Sequence, residues 1–139
     1  MVGITARTLA ILDVEVTLSQ YRTLVILASR GPLRTVDLAA ALRVHPSTAT
    51  RTCDRLVRRD LVARQQQSSD RRVALLTLTE AGKALVGDVM RHRTQEIRRL
   101  VRTVGTEPRT TAELINSLVV AAGEPTEEQW WRHWEQITR

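Results

Sequence analysis

This chain of 139 residues contains a single cysteine, Cys53, and no phenylalanine. One thiol cannot close a disulfide within the chain or build a cysteine metal cluster. Without a disulfide framework, nothing argues for export. The three histidines, His45, His92 and His133, are scattered and match no metal-ligand spacing such as HxxxH, so no metal is expected. There is no nucleophile–base grouping and no glycine-rich phosphate loop, which removes the usual enzyme classes and any nucleotide cofactor. No apolar run approaches the ~18 residues of a membrane span. The start, MVGITARTLAILDVEV, lacks a basic n-region, a long apolar core and a cleavage site, so a cytoplasmic protein is expected.

What is present is a globular composition, 42% apolar and 26% charged. The length suggests one domain with one core. Lys plus Arg number 21 and Asp plus Glu 15, for a formal charge of +6. Residues 34–72 hold nine Arg and four acids, a surplus of five in under a third of the chain. The last sixteen residues hold four Glu and two Arg. Basic charge thus gathers in one segment, as in nucleic-acid binders.

Apolar spacing and capping residues divide the chain into helices and one hairpin. A short helix is expected over 4–14, with Ile4, Leu9, Ile11, Leu12 and Val14 apolar. Ser19 is expected to cap a helix over 20–30 that Gly31-Pro32 stops, and Thr35 to cap one over 36–42. Arg43-Val44-His45 make a turn, and Pro46 opens a helix over 46–59, where its missing N–H costs nothing. Ala49, Cys53, Leu56 and Val57 give that helix a core face, opposite Ser47, Thr48, Arg51, Arg55 and Arg58. Cys53 on that face reads as inert core filler and not as an oxidant sensor. Leu61–Gln66 and Val73–Leu78 are strand-like, joined by the polar QSSDRR. Thr79 caps a long helix over 80–104, broken by Gly105 and Pro108. Further helices follow over 110–122 and 126–138, separated by Gly123-Glu124-Pro125. The last carries Trp130, Trp134 and Ile137 on one face, with Trp131 beside them. That face is too apolar to stay bare in a monomer. It packs across a dimer, the favoured reading, or on its own long helix.

The expected fold is therefore mainly α with a small β-hairpin wing. Two helices, a tight turn and a basic hairpin are the outline of a winged helix-turn-helix. That shape lays one helix in the major groove of double-stranded DNA with a positive loop beside it. The chain resembles the MarR family of bacterial transcription regulators. The likeness is carried by LSQYRTLVIL (18–27), DLAAALRVHPSTATRTCDRL (37–56), LVAR (61–64), DRR (70–72) and LTEAGKAL (78–85). Asp70 and Arg72, followed by a strand and LTxxG, are the most specific part. The resemblance implies a single MarR-like domain over 1–139, with the winged core at 18–85. It also implies a homodimer, with 1–17 and 86–139 supplying the dimerisation helices. Leu9, Leu12, Leu114, Leu118, Trp130 and Trp134 are the candidate dimer contacts. Three features depart from the family pattern. Asp60 stands where glycine is usual, but Asp tolerates the left-handed turn. Only seventeen residues precede Leu18. Aromatics make up 3% of the chain, which gives little support to a ligand pocket near the dimer interface.

Ser47, Thr48 and Arg51 lie where this docking mode brings a helix to base edges, and an Arg there can pair bidentately with guanine. Thr35, Thr50, Arg55 and Arg58 are candidate phosphate contacts, which position without specifying sequence. Arg64 and Arg71 add positive charge near the backbone. Arg72 is the wing-tip candidate for the minor groove, with Asp70 bracing it, since a carboxylate facing phosphate would be repelled. His45 sits in the turn and reads as a solvated residue. The expectation is a sequence-specific repressor acting as a homodimer on a near-palindromic operator, with a small-molecule effector as a possible release signal. A non-specific architectural DNA binder, and an enzyme or ligand-binding module with a borrowed fold, stay open as alternatives.

Overall fold

A computed structural model describes residues 2–11, 15–67, 70–104, 108–121 and 127–137. Seven helices and three strands run in the order α1 (Val2–Ile11), α2 (Leu18–Arg30), β1 (Leu33–Arg34), α3 (Thr35–Leu42), α4 (Pro46–Arg58), β2 (Val62–Gln67), β3 (Asp70–Leu78), α5 (Glu80–Val104), α6 (Pro108–Ala121) and α7 (Glu127–Ile137). The chain forms two compact units, Met1–Val89 and Met90–Arg139.

Most expected elements are present, with shifted ends. The cap of α2 is Thr17, not Ser19. Thr17 and Gln20 form a reciprocal capping box, in which the Gln20 N–H donates to Thr17 Oγ1 (3.3 Å) and the Thr17 N–H to Gln20 Oε1 (2.9 Å). Ser19 cannot compete, because two orphan donors are satisfied only at the T-x-x-Q spacing. Thr35 is likewise the first helical residue of α3 and not its cap. Residues 33–34 are a strand, so the extended cap position falls on Arg34, whose side chain makes no capping bond. Arg34 instead donates to Asp37 at 2.7 and 3.0 Å. Pro108, expected as a breaker, is the first residue of α6, where proline is tolerated.

β1 has no counterpart among the expected elements. It is two residues long and pairs antiparallel with the middle of β3 (Leu33↔Leu76, Arg34↔Leu75), giving the sheet order β1-β3-β2. The second hairpin strand begins at Asp70 and not at Val73, so most of the expected QSSDRR link is strand. The register slips between Gln66 and Gln67.

The core of the first unit joins Leu24 and Leu27 of α2, Leu38 of α3, Ala49, Cys53 and Leu56 of α4, Val62 and Leu76 of the sheet, and Val86 and Val89 of α5, each at most 2% exposed. Two left-handed residues close the helices around it. After α3, Arg43 (φ 56°) lets Val44 N–H reach the Ala39 carbonyl (3.1 Å). After α4, Asp60 (φ 55°) lets Leu61 N–H reach the Leu56 carbonyl and its own N–H reach Val57, each at 3.0 Å. Both are Schellman turns, in which glycine is the usual occupant.

The LTxxG motif has a steric cause. The Thr79 N–H donates to the Leu61 carbonyl (3.2 Å), Thr79 Oγ1 donates to the Asp60 carbonyl, and the Gly82 N–H donates to Thr79 Oγ1 (3.0 Å). A Cβ on Gly82 would overlap the Leu61 carbonyl oxygen, so only glycine fits there. Two substitutions should therefore move stability in opposite directions. Asp60→Gly relieves a left-handed non-glycine residue and should add about 1 kcal/mol. Gly82→Ala overpacks a backbone contact and should cost about 1–3 kcal/mol. Denaturant titration of each variant checks both signs.

Candidate nucleic-acid interface

Helix α4 is seated by Ala49, Cys53 and Leu56, all at 0% exposure, so its other side must face outward. Ser47, Thr48, Thr50, Arg51, Arg55 and Arg58 are exposed on it. Thr50 Oγ1 donates back to the Pro46 carbonyl (3.0 Å), and Arg51 Nε makes a long contact to the Ser47 carbonyl (3.4 Å). Arg55 and Arg58 have no hydrogen bond or ion pair with another described residue, so their guanidiniums are available to a partner. Thr35 is half-buried at the start of α3, beside the Arg34–Asp37 pair. The hydrogen bond from Arg34 holds the Asp37 carboxyl below its ordinary range, and Asp37 holds the Arg34 guanidinium above its own.

Arg64 on β2 is paired with Asp54 of α4, which ties the wing to that helix; the sequence pattern does not show this partner. Asp70, Arg71 and Arg72 belong to β3, but their side chains lie outside the described residues. His45 is not a free turn residue. Its ring caps α4, accepting from the Ser47 N–H through Nδ1. The proline at the following position is the available signal, since it marks His45 as the cap. The Cys53 thiol is fully buried. Burial pushes its pKa from 9.0 up to about 11, against a smaller downward pull from Arg64 and with a small upward push from Asp54.

Of the candidate dimer contacts, Leu9 and Trp134 are already covered by their own chain, at 5% and 8% exposure. Leu114 on α6 is 61% exposed, and Val120 on the same helix is 60% exposed. Leu12, and the side chains of Leu118 and Trp130, lie outside the described residues. Arg91, Thr94, Gln95, Arg98 and Trp131 line an open cleft of about 170 Å³ in the second unit. Among the described residues, no group of three His, Cys, Asp or Glu side chains could hold a metal ion. No helix among them is long and apolar enough to cross a membrane.

The family model of the MarR family matches residues 16–74. The transcriptional repressor MdtR of Bacillus subtilis is 32% identical over 114 residues, which cover 82% of this chain and 74% of MdtR. The chain belongs to the MarR family. It is a helix-turn-helix transcriptional regulator that binds DNA, and the family is not one of enzymes. The crystal structure of RV1404 from Mycobacterium tuberculosis is similar at 36% identity and a TM-score of 0.81, over 91% of this chain and 86% of that one. It carries the same mainly helical fold with a small antiparallel wing. BpsR of Bordetella bronchiseptica is similar at 27% identity and a TM-score of 0.60, over 90% of this chain and 86% of that one. Its structure addresses the regulation of DNA binding by 6-hydroxynicotinic acid. The family match spans α2 through the first half of β3, and so contains the exposed face of α4.

Two outcomes follow for this regulator. Asp54→Asn removes a negative charge beside the exposed face of α4 and frees Arg64. It should tighten binding and steepen the log affinity–log salt slope by about 0.9 for each additional phosphate neutralised. Stability should change by no more than about 1 kcal/mol, because both partners are well exposed. A salt titration with unchanged slope would show that the freed Arg64 reaches no phosphate. Cys53 should resist iodoacetamide in the native protein and react once unfolded. The folded state keeps a proton that the unfolded chain releases above pH 9.0, so stability should fall as pH rises from about 9 towards about 11.

Proposed function

We propose that this MarR-family regulator is a homodimeric, sequence-specific repressor acting as one MarR-type domain over residues 1–139. The observation that carries the reading is the two-sided reading helix. Its back is fully buried at Ala49, Cys53 and Leu56, and its front offers Ser47, Thr48, Arg51, Arg55 and Arg58 to solvent. Ser47, Thr48 and Arg51 contact base edges in the major groove. Thr35, Thr50, Arg55, Arg58, Arg64 and Arg71 hold phosphates, and Arg72, braced by Asp70, enters the minor groove. The exposed apolar residues of α6 support self-association, because Leu114 and Val120 are left mostly in water by their own chain. Repression is supported by MdtR, which is a repressor. Release by a small-molecule effector is supported by BpsR, whose DNA binding is regulated by 6-hydroxynicotinic acid.

Two-fold symmetry requires a near-palindromic operator, with half-site centres about 10 bp apart. Selection of bound fragments from genomic DNA should recover such sites, and sedimentation should give a dimer. Arg51→Ala should cost about 1–3 kcal/mol and relax preference at one base-pair position in each half-site. Equal affinity for selected and random DNA would sink the sequence-specific reading. A monomeric chain would sink the dimer.

A further inference from the structure

The first turn of α4 has no spare backbone donor. Pro46 has no N–H, the Ser47 N–H donates to His45 Nδ1 (3.3 Å), and the Thr48 N–H donates to the His45 carbonyl (2.9 Å). The orientation of the Ser47 hydroxyl is set by the same imidazole. Ser47 Oγ lies 2.9 Å from His45 Nδ1. A backbone N–H can only donate, so a ring nitrogen that receives one carries no proton. On that tautomer the hydroxyl donates to the same nitrogen. The Ser47 proton therefore points at His45, and only oxygen lone pairs remain for anything outside.

We propose that His45 is a positioning residue that makes Ser47 an obligate acceptor, so that Ser47 selects an amino group in the major groove, adenine N6 or cytosine N4. A serine hydroxyl free to rotate could accept from those groups or donate to guanine O6 and thymine O4. With its proton committed to His45, Ser47 rejects the keto bases on the strand it faces. The result is a preference for A or C over G or T at one position of each half-site. This rests on the proposed reading in which the start of α4 contacts base edges.

The test measures binding of the full chain, and of Ser47→Ala, His45→Ala, His45→Asn and the His45→Ala/Ser47→Ala double variant, to a selected operator and its single-base-pair variants. The position facing Ser47 is the one at which Ser47→Ala loses discrimination. There, the unmodified chain should favour A or C over G or T on one strand by about three- to tenfold, the worth of one net hydrogen bond. His45→Ala should erase that preference and leave the other positions selective. His45→Asn, whose amide oxygen accepts as Nδ1 does, should retain it. The double variant should relax the position no further than either single change. If His45 only capped the helix, His45→Ala would weaken all four base variants equally, and that result overturns the inference. A guanine or thymine preference at this position also overturns it, as does a Ser47→Ala protein that loses no discrimination anywhere. The parent reading fails in a different way: an unmodified chain with no base preference at any position defeats both.

Discussion

The placement of α4 and of the wing depends on the peptide group of Leu61. Its N–H closes the end of α4 on the Leu56 carbonyl, its carbonyl accepts from the Thr79 N–H, and Gly82 rests directly against that carbonyl. The end of the reading helix, the entry to β2, the exit from β3 and the first turn of α5 therefore meet at one peptide. An exposed helix has no preferred direction of its own; its buried side and its ends supply one. Here the back of α4 is fixed by Ala49, Cys53 and Leu56, and its C-terminal end by the Leu61 junction. The wing leaves from that junction. Three residues along the chain, on β2, Arg64 meets Asp54 and ties the strand back to the helix it left.

The electrostatics follow from that placement. Twenty of the 21 cationic side chains are arginine, the residue suited to bidentate contact with phosphates and guanine. Of the three acids in residues 34–72 whose side chains are described, two are held in ion pairs, Asp37 by Arg34 and Asp54 by Arg64. Exposed pairs like these contribute little to stability. Their larger effect is on where charge remains. They neutralise the start of α3 and the base of the wing, and leave Arg51, Arg55 and Arg58 as uncancelled cations along the front of α4. A surplus spread over 39 residues of sequence is thereby concentrated on one helix face.

Much of this is legible in the sequence, and the exceptions share a cause. The core face of α4, the proline that opens it and the span of α5 each follow from local spacing or from one residue's chemistry, and the left-handed turn at Asp60 from the family resemblance. The cap of α2 is ambiguous in the sequence because Ser19 and Thr17 are both good caps, and only the reciprocal bond to Gln20 decides between them. β1 depends on partners some forty residues away, Leu33 with Leu76 and Arg34 with Leu75, and two residues carry no period to read. The Arg64–Asp54 pair joins a strand to a helix across ten positions and has no local signature. His45 reads as a solvated turn residue because histidine is an uncommon cap. Its role shows only when the ring is seen to accept from Ser47.

The same division applies to self-association. Leu9 and Trp134 look like contact residues in the sequence because each is large and apolar, yet each is covered by its own chain. An apolar residue already buried gains little further free energy from a partner, whereas one left in water gains roughly 25 cal/mol for each Å² that a partner removes. Among the described residues, those with most to gain are Leu114 and Val120, both on α6. Apolar side chains left largely in water on this helix favour association over solvation. On the proposed dimer, α6 therefore carries more of the apolar driving force than Trp134, the more conspicuous residue in the sequence. The cost of separating two reading heads would then be set at a helix remote in sequence from the one that reads.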